Sequence, residues 1–268
     1  MEYVTLDDGT RLAYRLDGPA GAPALALVNS LGADLRMWEP QIGALSRRFR
    51  VVRYDTRGHG QSDAPHGPYS IDRLGRDLLA LLDQLHLAPA PIRLCGLSLG
   101  GLTAQWLAAH YPERVGRMVL ANTATRIGAA ASWDTRIDAV REGGMAAVRE
   151  AVVARLLNAA FRASHPEDAR AIGDMLEATH PSGYIEACAA LRAADLRAIV
   201  PLIRAPALIL AGALDEATPP SQSRELHAAI AGSELVVLNH AAHLSNVEQP
   251  EAFNAQVLRF LGDHEGSV

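Results

Sequence analysis

Along most of this chain, short apolar runs alternate with segments whose apolar residues recur at helical spacing. Residues 3–6 and 12–16, joined by the turn signal Asp8-Gly9, read as two strands of a hairpin. Ala24-Leu25-Ala26-Leu27-Val28 reads as a strand buried on both faces, as do the runs at 51–54, 92–95 and 118–120, and the runs at 207–211 and 235–238 read as further strands. Helical patterns occupy 37–47, 71–85, 99–110, 221–230 and 250–261. This alternation predicts an α/β architecture, a mostly parallel eight-stranded sheet with helices on both faces. Between 125 and 200 the rhythm breaks: Ile137, Val140, Val148, Val152 and Leu156 keep helical spacing, and no strand-like run appears. That stretch is expected to be a helical cap inserted into a core formed by 1–124 and 201–268.

Composition narrows the partners. The 268 residues are 49% hydrophobic, enough for a large core. A net charge of −5 without a basic cluster argues against nucleic acid. No apolar stretch reaches the ~18 residues that span a bilayer, so no membrane role is expected. The N-terminus is acidic and lacks the features of a secretory signal, which points to the cytoplasm. Cys95 and Cys188 cannot build a disulfide framework, and Cys95 reads as a small core hydrophobe.

Gly96-Leu97-Ser98-Leu99-Gly100 follows one of the buried runs and opens a helical pattern. G-x-S-x-G in that setting places a serine on a sharp strand-to-helix turn, with its hydroxyl exposed as a nucleophile. A hydroxyl needs a base within reach and an acid to orient that base. Asp215, after the run ending at Ala211-Gly212, is the favoured acid over the adjacent Glu216. Asn122 fills the alternative slot after the preceding strand but has no charge with which to stabilise an imidazolium. His243, between small residues and a helix start, is the favoured base over His240. The oxyanion hole is assigned to the backbone N–H groups of Leu99 and of Leu31, in the loop Asn29-Ser30-Leu31-Gly32. His59, among the glycines of Arg57-Gly58-His59-Gly60, reads as part of a structural turn. The remaining histidines show no metal-ligand spacing, so no metal is expected.

Together these residues resemble the α/β-hydrolase superfamily over nearly the whole chain. Segments 30–38, 121–128 and 243–250 are similar to the 3-oxoadipate enol-lactonases, enzymes of bacterial aromatic catabolism. The resemblance implies a serine hydrolase with Ser98, Asp215 and His243 as its triad, opening a small anionic lactone without a cofactor. The Asn29-Ser30 pair departs from the His-Gly frequent among relatives, and Leu99 stands where Met is common. Such a substrate bears a free carboxylate, and Arg126, Trp133 and Arg136, at the start of the cap, are the residues proposed to meet it. A carboxylesterase, a hydrolase of C–C bonds in ring-cleavage products, or a silent ligand-binding relative would present the same outline.

Overall fold

A computed structural model describes residues 1–87 and 91–262. Its strands are β1 (Glu2–Thr5), β2 (Arg11–Asp17), β3 (Ala24–Val28), β4 (Arg50–Tyr54), β5 (Ile92–Leu97), β6 (Val115–Ala121), β7 (Ala207–Gly212) and β8 (Glu234–Leu238). They form one sheet in the order β1-β2-β4-β3-β5-β6-β7-β8. β1 and β2 pair antiparallel, β2 joins β4 antiparallel, and every later pairing is parallel. The chain is an α/β protein with the eight-stranded sheet expected from its pattern.

The period of two along each strand divides the core in half. Ala26, Val28, Leu94, Met118, Leu120 and Ile209 face one layer of apolar side chains. Leu25, Leu27, Cys95, Leu97, Val119, Leu208 and Leu210 face the other. Helices α1 (Glu39–Leu45), α2 (Ile71–Gln84) and α3 (Leu99–His110) supply the cover as the chain crosses between strands. α2 and α3 bring Leu74, Leu78, Leu102 and Leu107 to the first layer, and α1 brings Leu45 to the second.

Five helices lie between β6 and β7: α4 (Ala130–Gly143), α5 (Ala146–Leu156), α6 (Ala159–Ser164), α7 (Pro166–Glu177) and α8 (Pro181–Ala193). The chain then returns through β7, α9 (Pro220–Ala229), β8, the short α10 (Ser245–Glu248) and α11 (Pro250–Gly262).

One expectation shifts. The helix expected over 37–47 is a 3-10 turn at Leu35–Trp38, capped by Asp34, followed by α1 with Pro40 in its first turn. Pro40 cannot donate a backbone hydrogen bond and so fits only at a helix start. The last strand lies at the sheet edge, where Val237 is 38% exposed.

Candidate active site

β5 ends at Leu97 and α3 begins at Leu99, so Ser98 carries the whole reversal of direction. Its backbone sits at φ 57°, ψ −115°, a region that costs a residue with a side chain roughly 1–3 kcal/mol. The reversal draws α3 against the sheet: a Cβ on Gly96 would collide with the Gly100 carbonyl, and one on Gly100 with the Val28 carbonyl. Ser98 N–H bonds the Ala121 carbonyl at 3.0 Å, and Thr123 Oγ1 donates to the Ser98 carbonyl at 2.8 Å. Strain is thus held in place by bonds to the neighbouring strand.

Asp215 and His243 stand beyond the ends of β7 and β8, on the same edge of the parallel sheet as Ser98. Both side chains are almost fully buried, whereas the rivals Glu216 and His240 are exposed. His243 Nδ1 lies 2.9 Å from Asp215 Oδ2, so the carboxylate accepts from Nδ1–H and leaves Nε2 available as a base. Asp215 accepts further bonds from the N–H groups of Ala217 (2.8 Å) and Thr218 (3.0 Å), from Thr218 Oγ1 (2.7 Å) and from Asn122 Nδ2 (2.9 Å). Burial pushes this carboxyl up, but the charge of His243 and these donors outweigh burial and hold it at about 2. It is an anion throughout the working range, suited to stabilising an imidazolium.

Asn122, rejected above as an acid for want of charge, has a different use. Its Nδ2 also donates to the Ala242 carbonyl at 2.9 Å, and its Oδ1 accepts from Ser245 Oγ at 2.5 Å, so one amide ties the acid loop to the histidine loop. Its backbone takes φ 45°, a conformation Asn tolerates better than most side chains.

The loop after β3 carries Leu31. Asn29 Nδ2 donates to the Tyr54 carbonyl at 2.8 Å, and Trp38 Nε1 donates to Asn29 Oδ1 at 2.9 Å. Asn29 therefore braces this loop from below. Among the described residues, neither Leu31 N–H nor Leu99 N–H meets an acceptor within the protein, the condition for donors reserved for an oxyanion.

Ser30, Leu31, Ser98 and His243 line one cavity of about 610 Å³, mouth included, with Trp133, Arg136, Arg155 and Tyr184 from the helical segment. Trp133 donates Nε1 to the Ile127 carbonyl at 2.8 Å, so its ring, not its N–H, is offered to the cavity. Arg136 stacks on that ring, 5.0 Å from its centroid. Tyr184 Oη is buried beside Arg136 and Cys188 without a hydrogen bond of normal length to either, and its phenol is pushed up chiefly by burial while the Arg136 charge opposes the shift.

Arg126 must be corrected. It is exposed and does not line the cavity, and its charge acts on Asp195 instead. The chain turns the neighbouring Ile127 inward, which sends Arg126 outward. Arg155 and Tyr184 occupy the wall that sequence reasoning gave to Arg126, and nothing local distinguishes either from other helical Arg and Tyr residues. His59 is buried away from the cavity with Nδ1 on the Arg57 carbonyl. No group of three His, Cys, Asp or Glu side chains converges among the described residues. No helix among them is long and apolar enough to cross a membrane.

Known proteins place this arrangement. The family described as the alpha/beta hydrolase fold matches residues 23–250. 3-Oxoadipate enol-lactonase 2 of Acinetobacter baylyi is 44% identical over 246 residues, 92% of this chain and 91% of that protein. 3-Oxoadipate enol-lactonase 1 of the same organism is 38% identical over 250 residues, 93% and 92% of the two chains. The crystal structure of the enol-lactonase from Burkholderia xenovorans LB400 superposes with a TM-score of 0.95 at 46% identity, covering 98% of this chain and 100% of that one.

Proposed function

Since this chain belongs to the alpha/beta hydrolase family, among relatives of the 3-oxoadipate enol-lactonases, we propose that it hydrolyses 3-oxoadipate enol-lactone to 3-oxoadipate. The observation that carries the reading is the shared cavity: Ser98 and His243 meet Arg136 and the Tyr184 hydroxyl in one space. A reactive ester carbonyl and a free carboxylate on one small molecule need such a pairing. In this reading 125–200 act as a cap over the core of 1–124 and 201–268.

His243 Nε2 takes the proton of Ser98 Oγ as that oxygen attacks the lactone carbonyl. The tetrahedral oxyanion accepts from Leu31 and Leu99 N–H. Losing one such donor typically costs about 3 kcal/mol of transition-state stabilisation. Collapse breaks the ring C–O bond, and the departing enol oxygen takes the proton from His243. It stays tethered because the substrate is a ring, and the enol rearranges to the ketone. Water, deprotonated by His243, then attacks the acyl-enzyme and frees Ser98 and the second carboxylate. Asp215 holds the imidazole for both proton transfers. Arg136 and Tyr184 Oη take the carboxylate that the lactone already bears, with the Trp133 ring against its apolar part.

A direct comparison tests this. kcat/KM for the enol-lactone should exceed that for a neutral aryl ester of similar size by about 100-fold or more, because charge-assisted contacts and a tethered leaving group both favour it. Equal values would remove the lactone reading and leave a general carboxylesterase. Labelling by a fluorophosphonate that survives Ser98→Ala would remove Ser98 as nucleophile.

A further inference from the structure

Glu248, the last residue of α10, is a carboxylate only 7% exposed, and among the described residues none of its hydrogen-bond partners is a cation. Three N–H groups surround it instead. Ala242 N–H, one residue before the candidate base, donates to Oε2. Asn158 donates its backbone N–H (2.6 Å) and its Nδ2 (2.9 Å) to Oε1. Asn158 caps the start of α6, accepting from Phe161 N–H at 2.9 Å, and its Nδ2 also reaches the His240 carbonyl at 3.0 Å. One turn away, Leu244 N–H bonds the Leu156 carbonyl at 2.9 Å. The two oxygens of Glu248 therefore face different parts of the molecule, one the histidine loop and the other the helical segment over the cavity.

Two carbonyls of the histidine loop are held from the sheet side. The Ala241 carbonyl accepts from Leu214 N–H at 2.9 Å and the Ala242 carbonyl from Asn122 Nδ2 at 2.9 Å. Glu248 supplies the bond that no sheet residue supplies, at the peptide N–H beside His243. A neutral amide could satisfy one side of this bracket with its oxygen but would turn an N–H toward donors on the other. Only a carboxylate accepts on both. Burial pushes the Glu248 carboxyl up against the pull of the Ala242 and Asn158 N–H groups and the charge of His243, so burying it for packing alone would be expensive.

We infer that Glu248 is a positioning residue for the reaction: it clamps the peptide of Ala242 to Asn158, so that the imidazole of His243 is aimed at Ser98 by the helical segment as well as by Asp215. This rests on His243 being the general base. Both the acylation and deacylation steps pass through that imidazole, so a loosened clamp lowers kcat and leaves KM nearly unchanged. An aim that drifts by about 1 Å is worth on the order of 100-fold in rate.

The experiment compares wild type, Glu248→Ala, Glu248→Gln and Asn158→Ala for kcat, KM, melting temperature and the rate at which a fluorophosphonate labels Ser98. Expected are a fall of about 100-fold in kcat and in labelling rate for Glu248→Ala, a partial recovery to about tenfold below wild type for Glu248→Gln, and a fall of several-fold for Asn158→Ala. A lowered melting temperature with unchanged kcat and labelling rate would assign Glu248 to stability and overturn the inference. So would a rise in KM alone. If Glu248→Ala does not fold, Glu248→Gln carries the test, and wild-type kcat and labelling rate in it overturn the inference; Asn158→Ala removes only the Nδ2 contact, since its backbone N–H still reaches Oε1. Fluorophosphonate labelling needs no lactone, so this outcome is independent of which ester the enzyme prefers.

Discussion

The loops at the end of the sheet and the helical wall facing them treat polar groups in opposite ways. Asp215 takes bonds from His243, Asn122, Ala217 and both donors of Thr218. Across the cavity, Tyr184 Oη makes no hydrogen bond of normal length, and Arg136 rests on a tryptophan ring. A buried hydroxyl left unmatched costs about 1–3 kcal/mol, which a ligand that accepts from it would recover. Groups that must hold one geometry through every turnover are saturated by the protein. In the proposed reading, the groups that meet the substrate are left for the substrate to satisfy.

The largest effect expected at the sheet end is on activity. Asp215→Asn keeps the shape of the side chain but cannot stabilise the imidazolium, and kcat should fall by about 10⁴-fold on lactone and neutral ester alike. Unequal losses on the two substrates would break the division between reaction and recognition.

Next in size is a pH effect on stability. With a folded value of about 2 against 3.8 unfolded, Asp215 contributes stability that is complete above about pH 4 and is lost as pH falls toward 2. In urea unfolding, the gap between wild type and Asp215→Asn should therefore shrink by about 2 kcal/mol between pH 5 and pH 2. Asp55, also buried at a strand end, behaves in reverse. Burial pushes its carboxyl up to about 6, against the pull of the Gln61 and Leu35 N–H groups and with the help of nearby Asp34. Its penalty is present above pH 6 and relieved as pH falls toward 4, so wild type should gain on Asp55→Asn over that interval. A gap that moves the other way would show that donors, not burial, dominate at Asp55.

At the helical wall, Arg136→Gln should lower kcat/KM on the anionic lactone by about tenfold, mostly through KM, and change the neutral ester less than about twofold. Equal losses on both substrates would place Arg136 in packing. The smallest effect belongs to Arg126→Gln, with kcat/KM within about twofold of wild type on either substrate, as suits an exposed side chain outside the cavity.

Much of the sheet end is legible in the sequence because its signals are local. Gly96, Ser98 and Gly100 lie within one turn, and the apolar runs mark which loops follow strand ends. Asp215 separates from Glu216, and His243 from His240, through the small residues and strand boundaries around them. The helical wall is less legible. Periodicity says that 125–200 is helical, yet Arg126 and Arg136 are equally plausible by position, and only the inward turn of Ile127 distinguishes them.

By itself the sequence determined the α/β order of elements, the strained turn at Ser98 and the succession of nucleophile, acid and base, since each depends on residues adjacent in the chain. Tertiary structure alone decided the bonds that make these groups work together. Asn122 reaches Asp215 across 93 positions, and Asn158 reaches Glu248 across 90. Such pairs leave no periodic trace, because a hydrogen bond depends on distance and direction in space, and folding sets these independently of separation along the chain.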